Sequence, residues 1–143
     1  MKKTCTFFGH RDCPASVMPK LRTVLVDLIE HHGVEQFYVG RQGNFDTMVR
    51  AVLRELAKTY PQIRYAVVFE QLPKRRVDVR CFSDAIFPEG MEDVPLRFAI
   101  SRRNEWMLRR ADMVVTYVTH SWGGAAQYAK KAGKQGKIVL NLA

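Results

Sequence analysis

Three short stretches of the sequence combine glycine with side chains that can hold an anion. They are Gly9-His10-Arg11, residues 40–46 (GRQGNFD) and residues 120–125 (HSWGGA). Glycine permits tight turns and a close approach of the backbone to a ligand, and His and Arg side chains donate hydrogen bonds to phosphate or carboxylate. These residue types predict the binding of an anionic group, with a turn glycine followed by surface polar residues as the alternative for the first stretch.

The second stretch has two glycines and an asparagine directly before a segment of helical periodicity. We expect an anion-binding loop at the start of that helix, with ligand contacts from Gly40, Gln42, Gly43 and Asn44. It is neither a GxGxxG fingerprint nor a Walker loop, because the GK[ST] ending is missing. Asn44 or Asp46 could instead be the N-cap of the helix.

The third stretch places two adjacent glycines, Gly123 and Gly124, at the start of another helical segment. A phosphate there would meet free N–H donors. Trp122 offers a ring face for a base or ribose, a role for which Phe45 is a second candidate, or it packs against the protein. No second His, Cys or carboxylate stands at ligand spacing from His120, so we expect no metal site.

The stretch SRRNEWMLRRAD, residues 101–112, carries four arginines ahead of an apolar run. On a helical wheel, Arg102, Glu105 and Arg109 lie opposite an apolar stripe. The stripe consists of Leu96, Ile100, Met107 and Ala111. Arg103 and Asn104 fall beside the stripe and are predicted to point inward.

An inward arginine needs a partner, because burying an unpaired guanidinium is costly. Arg103 is therefore predicted to bind a ligand anion, or to form a salt bridge with Asp46 or Asp112. Phe98 lies on the polar side of the same helix, where it would cover a loop or a partner subunit.

Two hydrophobic periodicities alternate along the chain and predict the elements that carry these residues. Strands are expected at 4–8, 37–39, 63–69, 113–118 and 137–142, and helices at 16–32 or 19–32, 45–60, 95–111 and 124–132. Residues 72–90 read as mostly irregular, with a short element near 84–87. The pattern predicts an α/β fold with an open, doubly wound, mainly parallel sheet of about five strands and helices on both faces. Such sheets bind ligands beyond the carboxyl ends of their strands, where the three stretches fall.

Composition agrees with one soluble domain over residues 1–143. No apolar run approaches a membrane span and the N-terminal run is too short for a signal peptide, so we expect a cytoplasmic protein without membrane association. The three cysteines form no CxxC, which argues against disulfides and structural zinc. A net charge of +9 favours phosphates, nucleotides or nucleic acid as partners. The basic cluster at 74–76 (KRR) is expected to be a solvated loop.

The motifs taken together resemble the YpsA-like branch of the SLOG superfamily, which is named after the SMF/DprA and Lonely-guy proteins. They are FFGHR, GRQGNFD, FPEG, RNEWMLRRAD and the C-terminal GGAAQYAKKAGKQGKIVLNL, in the same order over nearly the whole chain. The resemblance implies a Rossmann-like fold that binds nucleotides or nucleotide-derived ligands at the strand ends, and it makes a homodimer plausible.

Lonely-guy enzymes cleave the N-glycosidic bond of nucleoside monophosphates. Arg103, Met107 and the Ala111-Asp112 pair match their third-helix motif, with Asn104 in place of a lysine. Their glycine-rich motif ends in a catalytic Glu, whereas Lys130 stands at that position here. Because this cleavage wants a carboxylate near the ribose, we consider Asp46, Glu70 and Glu105, and favour Asp46 with Arg103 as the catalytic candidates.

Three functions follow from these observations. The first is a sensor or binding protein for a nucleotide-derived ligand, with no other cofactor. The second is an enzyme that acts on such a ligand through Asp46. The third is single-stranded nucleic-acid binding of the DprA type, for which the net charge and the exposed arginines speak.

Overall fold

The computed structural model describes residues 3–71 and 84–143, which contain six strands and four helices. The strands are β1 (Lys3–Gly9), β2 (Val34–Val39), β3 (Arg64–Val68), β4 (Asp84–Ile86), β5 (Met113–Tyr117) and β6 (Ile138–Asn141). The helices are α1 (Met18–His32), α2 (Gly43–Thr59), α3 (Leu96–Arg110) and α4 (Gly124–Lys134). Single 3-10 turns precede α1 (Ala15–Val17) and α3 (Met91–Asp93).

All six strands lie in one parallel sheet in the order β4-β3-β2-β1-β5-β6. From β1 the chain adds β2, β3 and β4 on one side, then returns to place β5 and β6 on the other. The strand order therefore reverses between β1 and β5. Crevices at such reversals are where open α/β sheets bind ligands.

Two helices cover each face of the sheet. On one face, α1 and α2 pack their apolar sides onto the larger core, which includes Leu21, Leu25, Phe45, Val49, Leu53 and the strand residues Phe7, Phe37 and Val115. On the other face, α3 and α4 enclose a smaller core of Phe8, Val68, Met107, Leu108, Val114, Tyr128 and Ala132. Alternation of strand side chains between the two cores explains why the strands read as continuous apolar runs.

The predicted fold class is confirmed, with six strands instead of about five. The sixth, β4, falls on the short element expected near 84–87; at three residues it is too short to show a period. The predicted apolar stripe of α3 is partly wrong: Ile100 is 37% exposed, and Leu96 does not face the core but is 71% exposed. It lies in the first turn, ahead of Ala99, the first buried residue of the helix. No helix in the described part of the chain is long and apolar enough to cross a membrane.

Candidate functional site

A cavity of about 400 Å³ opens at the carboxyl ends of the strands. It lies at the reversal of strand order, between the segments that follow β1 and β5. The start of α2, one side of α3 and the start of α4 complete its wall. The polar side chains that line it are His10, Arg11, Asp12, Gln42, Asp46, Arg103, Asn104 and His120. The sequence had placed most of these residues at strand ends or on the inward side of α3, and the fold brings them together.

Arg103 enters the cavity wall from α3 with its side chain almost fully enclosed, at 2% exposure. Its Nη1 donates to the carbonyl of Val68 at 3.3 Å and lies 3.6 Å from the Glu70 carboxylate. Its Nε donates to Oδ1 of Asn104 at 2.9 Å. The inward orientation expected for Arg103 and Asn104 is confirmed.

The carboxylates around this guanidinium differ partly from those expected. Asp46 and Glu70 both favour its charged form, although burial, the larger effect, lowers the pKa of Arg103. A salt bridge with Asp112 is not found, because the Asp112 carboxylate instead accepts the backbone N–H of Thr4 at 2.9 Å. The guanidinium stays charged in proteins, so these two acids supply the compensation that its burial requires.

Glu70 links three segments of the site. Its carboxylate lies 2.9 Å from Nη2 of Arg41 and accepts a hydrogen bond from Nε2 of Gln42 at 3.1 Å. With Arg103 on its other oxygen, the buried carboxylate is satisfied by two partners from the segment after β2 and one from α3. Glu70 therefore has a structural role, since it joins the segments after β2 and β3 to α3.

Asp46 lies in the first turn of α2 and lines the cavity. Its Oδ2 accepts the backbone N–H of Gln42 at 2.9 Å. Burial raises the pKa of the Asp46 carboxyl, while that hydrogen bond and the nearby Arg103 and Arg50 work in the opposite direction. Its position on the cavity wall makes Asp46 the carboxyl that could exchange a proton with a bound ligand.

The loop before α2 is filled by the protein's own atoms. The N–H of Asn44 donates to the carbonyl of Arg11 at 2.8 Å. A Cβ on Gly40 would lie 2.6 Å from Nη1 of Arg103, and one on Gly43, where φ is +79°, would lie 2.6 Å from Cα of Arg11. These two glycines are thus explained by packing within the protein, and Gly40, Gly43 and Asn44 do not line the cavity.

The start of α4 is open by comparison. A Cβ on Gly123 or Gly124 would meet no atom within 4 Å, and no side chain caps the helix. The first backbone bond of the helix runs from Gln127 N to Gly123 O at 3.0 Å, so the N–H groups of the preceding positions have no partner inside the helix. Gly123, Gly124 and Ala125 line the cavity, which presents the positive end of the helix dipole to it.

Three aromatic rings are stacked beside this helix start. The rings of His10 and His120 are 3.7 Å apart and nearly parallel, and those of His120 and Trp122 are 3.5 Å apart. Nε2 of His10 accepts the backbone N–H of Thr119 at 3.0 Å, which ties the segment after β5 to the segment after β1. Burial lowers the pKa of His10, and the neighbouring His120 adds to this.

The outermost ring, Trp122, is 69% exposed and stands outside the cavity lining. The role considered for Phe45 is wrong, because its side chain is fully buried and packs against Phe7 and Gly9. Ile100 and Met107 also line the cavity, which was not predicted. Ile100 lies one helical turn before Arg103 and Asn104 and Met107 one turn after them, and this spacing is the signal that would have indicated both.

Other expectations concern residues away from the cavity. Lys130, which the resemblance to Lonely-guy enzymes aligns with their catalytic Glu, is exposed on α4. Cys5 and Cys13 are free, and within residues 3–71 and 84–143 no cluster of His, Cys, Asp or Glu could hold a metal ion. The basic cluster at 74–76 and the third cysteine, at 81, lie outside the described residues.

Comparisons with known proteins bear on the fold. No protein family profile and no curated protein sequence matches the chain. Among solved structures, DNA processing protein A (DprA) from Streptococcus pneumoniae superposes with a TM-score of 0.72 at 14% identity over 98% of this chain. DprA from Helicobacter pylori, described for its single-stranded DNA binding mode, superposes with a TM-score of 0.67 at 12% identity over 97% of this chain. The chain spans 50% of the first protein and 64% of the second. The fold is thus the Rossmann-like α/β fold found in these SMF/DprA proteins.

Proposed function

We propose that the protein binds a nucleotide-derived anionic ligand in the cavity at the carboxyl ends of the strands, as a sensor or binding protein of the YpsA-like type. The observation that carries this proposal is the uncapped start of α4. Its two glycines face the cavity, and no protein atom fills the space beside them. A helix start of this kind attracts phosphate through its N–H groups and its dipole.

One cation at the rim of the cavity is available to an anionic ligand. Arg11 is exposed at the rim, with Nη2 at 3.3 Å from Oε1 of Gln42. Arg103 is buried in the wall, where Asp46 and Glu70 already compensate it. The cation free to meet a ligand phosphate is therefore Arg11, which is a change from the sequence-based preference for Arg103.

The test is a thermal-shift titration with AMP, ADP-ribose, NAD and cyclic nucleotides. We expect a rise in melting temperature with at least one of them, reduced in Arg11→Gln and unchanged in Arg54→Gln, which removes an exposed arginine from the far side of the sheet. Absence of a shift with every ligand, or equal shifts in both variants, would count against the proposal. Arg103→Ala is a poorer probe, because loss of its ion pairs destabilises the protein itself.

Turnover of the ligand stays a prediction with Asp46 as its proton-carrying group. Incubation with nucleoside monophosphates and chromatography of the products would detect a released base. Release that is lost in Asp46→Asn, in a variant that still binds the nucleotide, supports an enzyme. No release across the panel leaves a binding protein.

Single-stranded nucleic acid is the second candidate ligand. The likeness to a protein described for its single-stranded DNA binding and the exposed Trp122 at the end of the ring stack favour it, since bases stack on exposed aromatic rings. Binding of a fluorescent oligothymidine that Trp122→Ala weakens would support this candidate. If Trp122→Ala binds the oligonucleotide as tightly as the unaltered protein does, Trp122 does not stack on its bases.

A further inference from the structure

The two helical layers of the protein differ sharply in charge. In α1 and α2 together, five Lys and Arg residues stand against four Asp and Glu, whereas α3 and α4 carry eight against one, Glu105. The two layers thus bear formal charges of +1 and +7. Most of the basic excess of the chain, +9 overall, belongs to the α3–α4 layer.

The acidic residues of the α1–α2 layer are engaged with basic or polar partners. Arg22 forms a bidentate salt bridge with Glu55, in which Nη1 and Nη2 lie 2.6 and 2.8 Å from the two carboxylate oxygens. Oδ1 of Asp27 lies 2.9 Å from Nδ1 of His31. Asp46 accepts a backbone N–H inside the cavity wall. The charges of this layer are therefore balanced locally, as is usual for a solvated protein surface.

The α3–α4 face contains no such balance. Its one acid is paired with Lys131, which joins the two helices together with a hydrogen bond between the hydroxyls of Ser101 and Tyr128 at 2.8 Å. Arg103 is turned inward. Six cations remain exposed, with no ion pair to any described residue: Arg97, Arg102, Arg109, Arg110, Lys130 and Lys134.

One of these cations is held in place by its neighbours. The guanidinium of Arg110 lies 3.7 Å from the ring centre of Trp106 and donates to the Trp106 carbonyl at 3.1 Å. Described acids near this face lie beyond the ends of α3, at Glu92 and Asp93 before the helix and at Asp112 after it. Unpaired like charges on two adjacent helices repel one another, so a polyanion on this face relieves a cost that the folded protein otherwise carries.

We propose that the α3–α4 face is a binding surface for the sugar–phosphate backbone of single-stranded nucleic acid. This inference rests on the second candidate function and assigns it a location separate from the strand-end cavity. The six cations lie along helices of 15 and 11 residues, about 22 and 16 Å long at 1.5 Å per residue, which suits an extended polymer better than a single phosphate. A single strand is favoured over a duplex because Trp122, just before α4, exposes an aromatic ring at one end of the face.

The experiment compares two double variants that change net charge equally. Lys130→Glu with Lys134→Glu alters two exposed cations of α4, and Arg54→Glu with Lys58→Glu alters two exposed cations of α2. Binding of a fluorescent oligothymidine is followed by anisotropy between 50 and 300 mM NaCl. For the unaltered protein we expect log K to fall with log salt by about 0.7 for each phosphate contact.

The α4 variant is expected to bind about tenfold more weakly and to lower the salt slope by about 1 to 2, because two phosphate contacts are lost. The α2 variant is expected to keep the affinity within twofold of the unaltered protein and to leave the salt slope unchanged. Equal weakening in the two variants, or a slope near zero in the unaltered protein, overturns the proposal. So does binding to vesicles rich in phosphatidylserine without binding to the oligonucleotide.

Nucleotide thermal shifts measured on the same two variants keep the two sites apart. Both variants should retain the shift, since Lys130 and Lys134 lie in the last turns of α4, away from the cavity. If the oligonucleotide signal is lost only in Trp122→Ala and is unaffected in the α4 variant, the second candidate function stands and the proposed surface is overturned.

Discussion

The loop before α2 and the loop before α4 look alike in sequence and differ in structure. Both place two glycines at the start of a helix that follows a parallel strand. In the first, atoms of Arg103, Asp46 and Arg11 occupy the space beside the glycines. In the second, that space is empty of protein. A glycine-rich helix start thus has two uses, to admit a ligand or to admit the protein's own side chains, and only the second loop is available for a ligand.

The strongest test of this difference is removal of the side chain that fills the first loop. Arg103→Met should lower the free energy of unfolding by about 3–5 kcal/mol, because Asp46 and Glu70 lose a buried cation. Urea denaturation measures the change. Arg109→Met, on the exposed part of the same helix, is the control and should change stability by less than about 0.5 kcal/mol. Similar values for both variants would contradict the assignment of Arg103 to a buried network.

The glycines themselves give the next largest contrast. Gly40→Ala should destabilise by about 1–3 kcal/mol, since its Cβ would meet the Arg103 guanidinium and the Asp46 carboxylate. Gly124→Ala should leave stability unchanged or raise it by up to about 1 kcal/mol, because alanine favours helix. The same substitution places a methyl group at the proposed anion site and should weaken nucleotide binding. If both alanine variants behave alike in denaturation, the two loops do not differ as described.

A smaller effect concerns His10, which links the segment after β1 to the loop before α4. Its pKa is lowered in the folded protein, so the unfolded chain takes up the proton first as pH falls. Stability from this group is complete above its ordinary value of 6.5 and decreases as pH falls from there toward the lowered pKa. His10→Gln keeps an acceptor for Thr119 and should flatten this part of the pH profile in denaturation at pH 5 to 8. His31→Gln, on the exposed end of α1, is the control and should leave the slope of the pH profile as it is in the unaltered protein.

The smallest effect is expected at the outer end of the ring stack. Trp122→Ala should change the free energy of unfolding by less than about 1 kcal/mol, because the ring is largely exposed and its contact is a stacking one. In a Trp106→Phe background Trp122 is the single tryptophan, as the sequence contains two. Its emission should then change when a ligand enters the second loop. If the Trp122 emission does not change when the protein is saturated with a nucleotide, the ligand binds elsewhere.

The fold was predictable because its signals are periodic. Continuous apolar strands alternating with amphipathic helices define a parallel sheet, and the same wheel that marked Met107 as buried turned Arg103 and Asn104 inward. The wheel failed at Leu96, since periodicity does not reveal where a helix runs past the core. β4 was only partly recognised because three residues carry no pattern.

The residues of the site were largely predictable, but which of them contact the protein and which are open to a ligand was not. Sequence identifies Gly40, Gly43 and Gly124 as glycines at helix starts, but what lies beside each Cα depends on side chains distant in sequence. Arg103, for instance, is 63 positions from Gly40. Likewise the partnership of Glu70 with Arg41 and Gln42 follows from the pairing of β2 with β3, which no local pattern contains.

The order of the strands has a mechanical consequence. β1 is hydrogen-bonded to β2 on one side and to β5 on the other, so the cavity sits over the seam between an N-terminal and a C-terminal half of the sheet. A ligand that contacts Arg11 from one half and Gly124 from the other would act as a clamp across that seam. Amide hydrogen exchange of β1 and β5 would then slow together on binding. The bound state would thus differ from the free state in how firmly the two halves of the sheet are held together, and neither half would need to move.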